Sequence, residues 1–189
     1  VNSVPEPIEL NRTWQLQFPN NDETNFDELI SWTESADDNI RYFSGTATYT
    51  KEFTVSKDML KDETSLEIDL GSVKEIAEVI VNGQNLGVLW KAPFRINMDK
   101  AVKEGINTME VRITNLWPNR LIGDERLPLD YKRKGNNISE WPNWLLNETE
   151  RPTQRTTLPA FKHWAKDADL LPSGLLGPVR IEVFKTIEL

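Results

Sequence analysis

Seven tryptophans are spread through 189 residues, and four of them fall between Trp117 and Pro172. Trp117 leads into Pro118-Asn119-Arg120, with Asp124 four residues beyond the arginine, and Trp141 and Trp144 frame Pro142-Asn143. Indole rings offer flat apolar faces on which the C–H face of a sugar can stack, while Asn, Asp and Arg take its hydroxyls. Trp117, Asn119, Arg120, Asp124, Trp141 and Trp144 are therefore candidates for binding carbohydrate or for docking against another domain. Each also has a purely structural alternative. Arg120 can pair with Asp124 to hold a turn, and Trp141 and Trp144 can form a small core for their loop. Trp14 reads as sandwich core, and Trp90, beside Pro93 and Phe94, as core or sandwich-end packing. His163-Trp164, following Phe161, reads as an anchor of the loop to the body, and Lys132-Arg133-Lys134 as a solvated turn.

Catalytic constellations are harder to find. Glycoside cleavage needs two carboxylates flanking the bond, but 30 acidic residues make some such pair inevitable and therefore uninformative. A single histidine and no cysteine leave no imidazole pair, thiolate site or disulfide. Ser173 lacks the context of a nucleophile elbow. No βα repeat that could build a catalytic barrel is visible. No catalytic residue is assigned, and no metal ligand set. Calcium is the one cofactor left open, because Asn20-Asn21-Asp22-Glu23 and Asp37-Asp38-Asn39 carry the oxygens it takes. Neither has EF-hand spacing, and solvated acidic loops are the simpler reading. A net charge of −8 argues against nucleic acid, and no apolar run is long enough to span a bilayer as a helix.

The elements that must carry these residues are strands. Ala47, Tyr49 and Phe53 share one parity, with Lys51 the polar exception; Leu66, Ile68 and Leu70 repeat the pattern, and Ala77, Val79 and Val81 continue it. Such alternation marks antiparallel strands with one buried face, and Asn82-Gly83 marks a tight hairpin. Trp14, Leu16 and Phe18 predict an opening strand, Phe94 to Met98 and Met109 to Ile113 two more, and Val179 to Val183 the last. Residues 19 to 39 read as an acidic loop, fastened to the body by Ser31-Trp32 and Arg41-Tyr42-Phe43. Asp99 is expected to cap a helical turn that stops at Gly105. From Trp117 to Pro172 the periodicity vanishes. The expected fold is all-β, one antiparallel sandwich over residues 1–189 with a long irregular insertion.

The order of features is also distinctive: a strand ending in Lys51-Glu52-Phe53, then LEIDLG, AEVIVNG and an LG-x-L-W return. It resembles the sugar-binding, galactose-binding-domain-like jelly roll of glycoside hydrolase family 2. ITNLWPNRLIGDERLP (Ile113 to Pro128) and LLPSGLLGPVRIEVF (Leu170 to Phe184) are more specific and resemble the C-terminal β-sandwich of family 106 α-L-rhamnosidases, abundant in gut Bacteroidetes. In family 2 the closing motif resembles SGIFRDV, whose acidic residue reaches toward the sugar; here Gly177 and Pro178 stand at its Arg-Asp pair. The resemblance implies a non-catalytic accessory domain of a secreted, periplasmic or extracellular hydrolase, with carbohydrate and a catalytic barrel as partners. An autonomous lectin-like module is the alternative. The start at Val1, with neither initiator methionine nor signal peptide, fits a fragment of such a protein.

Overall fold

The computed structural model describes residues 5–19, 23–61 and 63–185. In chain order the strands are β1 (Ile8–Glu9), β2 (Arg12–Gln17), β3 (Glu23–Glu28), β4 (Thr46–Val55), β5 (Thr64–Asp69), β6 (Ser72–Lys74) and β7 (Ile76–Val81). They continue with β8 (Gln84–Leu89), β9 (Arg95–Asn97), β10 (Gly105–Thr114), β11 (Lys132–Lys134), β12 (Asn137–Glu140), β13 (Gly174–Gly177) and β14 (Arg180–Lys185). The short helices are α1 (Asp38–Arg41), α2 (Pro118–Asp124) and α3 (Asn143–Leu146). The fold is all-β, as the alternation predicts. Its described residues fall into two compact units: the first from those within 5–31, 45–115 and 173–185, the second from 32–44 and 116–172.

The first unit is an antiparallel sandwich. One sheet has the order β3-β2-β4-β10-β7-β8, the other β1-β14-β5-β9. β4 and β10 pair along their whole length, from Thr46 opposite Thr114 to Val55 opposite Gly105. One parity of each strand is buried: Ala47, Tyr49 and Phe53 on β4, Met109, Val111 and Ile113 on β10, and Leu66 and Ile68 on β5. Each such side chain contributes about 1.5–3 kcal/mol by leaving water. Trp14 is fully buried, donates its indole N–H to the Leu10 carbonyl at 2.6 Å and meets the Tyr49 ring edge-on. Lys51, on the apolar parity, donates its ammonium to the carbonyls of Arg12 and Thr13. At the hairpin Asn82 and Gly83 both adopt positive φ, as a twist-matched two-residue turn requires.

Three local expectations need correction. The acidic stretch contains β3, where Phe26 pairs with Trp14; one buried aromatic in ETNFDE is too weak a pattern to announce a strand. Asp99 caps no helix. Its carboxylate accepts from the Leu66 backbone N–H at 2.6 Å and the Ser65 hydroxyl at 2.9 Å, fastening a turn to β5. Trp90 is not core: it is 69% exposed beside exposed Val88 and Ile76, with the Lys91 ammonium 5.4 Å from its ring centre.

The closing motif has a steric cause. Gly71 and Gly177 form a backbone bridge, and a Cβ on Gly71 would stand 2.5 Å from the Gly177 carbonyl. Gly177 itself has φ +67, and a Cβ there would lie 2.9 Å from the Leu29 side chain.

The second unit carries the long, mostly irregular insertion, with a few short regular elements set into it. It holds α2, α3 and a β11–β12 hairpin, bridged further by Asn137 to Phe161. The 32–44 segment belongs with it: Trp32 is buried edge-on against Phe43, and the Arg126 guanidinium lies over Tyr42. Its interior is unusually ionic. Glu125 accepts from both terminal nitrogens of Arg133 at 2.6 and 2.8 Å, from Arg155 at 2.8 Å and from Lys162 at 3.0 Å. Arg133, expected in a solvated turn, is thus a largely buried strand residue that also donates to the Tyr131 hydroxyl. The Arg133 hydrogen bonds, with Lys162 and Arg155 behind them, outweigh burial and hold the Glu125 carboxyl down at about 2. The same carboxylate holds the Arg133 guanidinium above its ordinary range.

Two outcomes are expected. Glu125→Gln leaves three cations without their anion and should cost about 3–5 kcal/mol in denaturant melts, the cost of breaking a buried ion pair from one side. The wild-type contribution of Glu125 should be complete above pH 4.5, its ordinary value, and fade as pH falls toward 2. Stability measured against pH should therefore decline over that window less steeply in Glu125→Gln than in wild type.

Candidate functional site

The six residues singled out from the sequence separate into two groups. Asn119, 2% exposed, accepts from the Leu171 backbone N–H at 2.8 Å and donates to the Leu171 carbonyl at 2.7 Å. Arg120 lies 2.9 Å from Asp124, and Asp124, 1% exposed, accepts from the N–H groups of Thr156 and Thr157 and from the Thr157 hydroxyl. Asn119 and Asp124 tie α2 to the returning segment 156–171, while Arg120 pairs within the helix. Trp117, at the start of α2 ahead of Pro118, is 57% exposed.

Trp141 and Trp144 instead share an open groove of about 590 Å³ in the second unit; the other four do not line it. β11 and β12 present Lys132 and Glu140, paired at 2.7 Å, on its rim, and Asn143, Thr149 and Glu150 add further polar groups. Trp144 is half-buried and held in place. Its indole N–H donates to the Asp130 carbonyl at 3.0 Å, and the Arg151 guanidinium covers its ring at 4.7 Å. Asp130 is anchored in turn. Burial works to raise its carboxyl, but hydrogen bonds from Arg151 at 2.6 Å and from the Thr153 hydroxyl prevail and leave it below the usual carboxylate range. Trp141 differs from its neighbour: it lines the same groove yet is 57% exposed. The geometry therefore offers a solvated aromatic face beside charged and amide groups on a braced floor.

Sequence reasoning missed the floor. Asp130, Arg151 and Thr153 lie 21 and 23 residues apart in the chain and carry no local periodicity. His163 and Phe161, read as an anchor to the body, meet each other edge-on at 4.8 Å, and the Lys162 N–H donates to the Asn136 carbonyl at the β11–β12 turn. Of the calcium-compatible loops, Asn20, Asn21 and Asp22 lie outside the described residues. Asp37 caps α1 by accepting from the Asn39 N–H, and Asp38 faces Arg41. Among the described residues no three acidic or histidine side chains cluster to fit a metal, and no helix is long and apolar enough to cross a membrane.

No protein-family model matches the chain. A Formosa agariphila protein named "Putative beta-glucuronidase" is 58% identical over 187 residues, covering 97% of this chain and 16% of that protein. Among solved structures, the rhamnosidase from Novosphingobium sp. PP1Y superposes with a TM-score of 0.74 at 33% identity, over 97% of this chain and 16% of the enzyme. The β-D-glucuronidase of Dictyoglomus thermophilum shares the fold over 61% of this chain, with a TM-score of 0.54 at 22% identity. The chain thus spans about one-sixth of the curated relative it matches and corresponds to a small part of much longer glycoside hydrolases.

Proposed function

We propose that this chain is a non-catalytic accessory β-sandwich of a secreted bacterial glycoside hydrolase similar to the family 106 α-L-rhamnosidases, acting in the periplasm or outside the cell. The observation that carries the reading is the match of 97% of the chain, at a TM-score of 0.74, to one-sixth of a rhamnosidase. A stretch that small, with no βα repeat, leaves the catalytic barrel to the remainder of such an enzyme. The acid chemistry of the second unit agrees. Glu125 and Asp130 are held ionised by arginines, whereas a general acid of glycoside cleavage needs a raised pKa. The role left to the domain is packing on the catalytic domain and helping to shape its active site. The exposed apolar group of Ile76, Val88 and Trp90 on the β7–β8 edge supplies a surface for that contact.

The test has two arms. The purified chain should turn over neither aryl α-L-rhamnosides nor aryl β-D-glucuronides; hydrolysis lost on replacing one acidic residue would overturn the reading. In the longer enzyme, Trp90→Asp should weaken domain association or lower activity, while the isolated domain keeps its melting temperature because Trp90 is exposed. Unchanged activity and association in that variant would remove Trp90 from the docking face.

A further inference from the structure

We infer that the groove between the β11–β12 hairpin and α3 is a carbohydrate subsite of its own, built for an uncharged pyranose ring that stacks on Trp141. The inference rests on the accessory-domain reading and adds to it a ligand and a place.

Its first support is the contrast between the two tryptophans. Trp144 is half-buried and engaged: its N–H is bonded to the Asp130 carbonyl and the Arg151 guanidinium lies over its ring. A side chain placed to build a small core looks like this. Trp141 lines the same groove, three residues earlier in the chain, and is 57% exposed. Leaving so large an apolar ring in water forgoes the burial that stabilises its neighbours, and an aromatic face beside polar groups is the arrangement that sugar C–H faces occupy.

The second support is preorganisation. Asp130, which lines the groove, is fixed by its bonds from Arg151 and Thr153, and Trp144 by its bond to the Asp130 carbonyl, so a ligand entering the groove need not order that wall first. The volume of about 590 Å³ falls within the ordinary range of small-molecule sites.

The third is charge. Lys132 is already paired with Glu140 on the rim, and Glu150 adds a further carboxylate. Asp130 and Arg151 neutralise each other below. The groove therefore carries an excess of negative charge in a chain of net charge −8. A uronate would meet carboxylates, whereas the hydroxyls of a neutral ring find Glu140, Glu150 and Asn143 as hydrogen-bond partners.

The isolated chain, titrated with methyl α-L-rhamnopyranoside and with methyl β-D-glucuronide, tests the assignment through the indole N–H resonances and calorimetry. The rhamnoside should shift the Trp141 signal, with the uronide weaker. Trp141→Ala should weaken rhamnoside binding about tenfold or more while leaving the melting temperature nearly unchanged, and Trp141→Phe should retain part of the affinity. No shift of Trp141 with the rhamnoside would overturn the subsite, tighter binding of the uronide would overturn its neutral preference, and a large fall in melting temperature for Trp141→Ala would make the ring structural. None of these results bears on whether the pure chain hydrolyses glycosides, so failure of the subsite and failure of the accessory reading stay distinguishable.

Discussion

The second unit depends on one carboxylate. Glu125 sits at the end of α2 and gathers donors from a strand, from the returning segment and from Lys162, positions 8, 30 and 37 residues further along the chain. Residues 116–172 cannot bury alternating apolar stripes, because they have none, and a buried cation without an anion is far more costly than a buried leucine. The charges consequently act as address labels. Arg133 and Arg155 are buried only because the segments that carry them have converged on Glu125, and Tyr131 lies against both guanidinium groups.

The contrast with the first unit is physical. The sandwich is held by side chains that leave water on one parity of each strand, a non-directional force that tolerates changes of shape among apolar residues. The ionic interior is directional and far less tolerant. Arg155 Nε and Nη1 find no protein partner despite their burial, so this interior has donors to spare. A surface groove needs walls that do not move, and here a network of fixed geometry stands directly behind Tyr131 and Asp130, two of its lining residues.

Legibility in the sequence follows the same division. Strands of the sandwich were readable because Tyr49, Leu66, Val79 and Val111 each report their own burial through period-two neighbours. The Asn82-Gly83 hairpin was readable because few other residue pairs tolerate that backbone. β3 was obscured because its sheet partner Trp14, not its own composition, makes Phe26 a strand residue. Trp90 misled for the converse reason: its neighbours suggested a sandwich end, and nothing local indicates that a face will be left uncovered. In the second unit Arg120 and Asp124 revealed their pairing by helical spacing, but Asp124 also receives two backbone N–H groups from Thr156 and Thr157, which no spacing announces. The groove was half legible. Trp141 and Trp144 stood out by type, whereas the floor beneath them is assembled by long-range ion pairs.

The closing strand carries a constraint that reaches beyond its own residues. Gly71 and Gly177 meet as bare backbone, and a Cβ on Gly71 would stand 2.5 Å from the Gly177 carbonyl. A side chain at Gly177 would collide with Leu29, on a backbone held in a left-handed conformation that few residues accept. The Arg-Asp pair of the SGIFRDV motif, whose places Gly177 and Pro178 hold, therefore cannot be installed by changing those two residues alone. Leu29 would have to be rebuilt together with them.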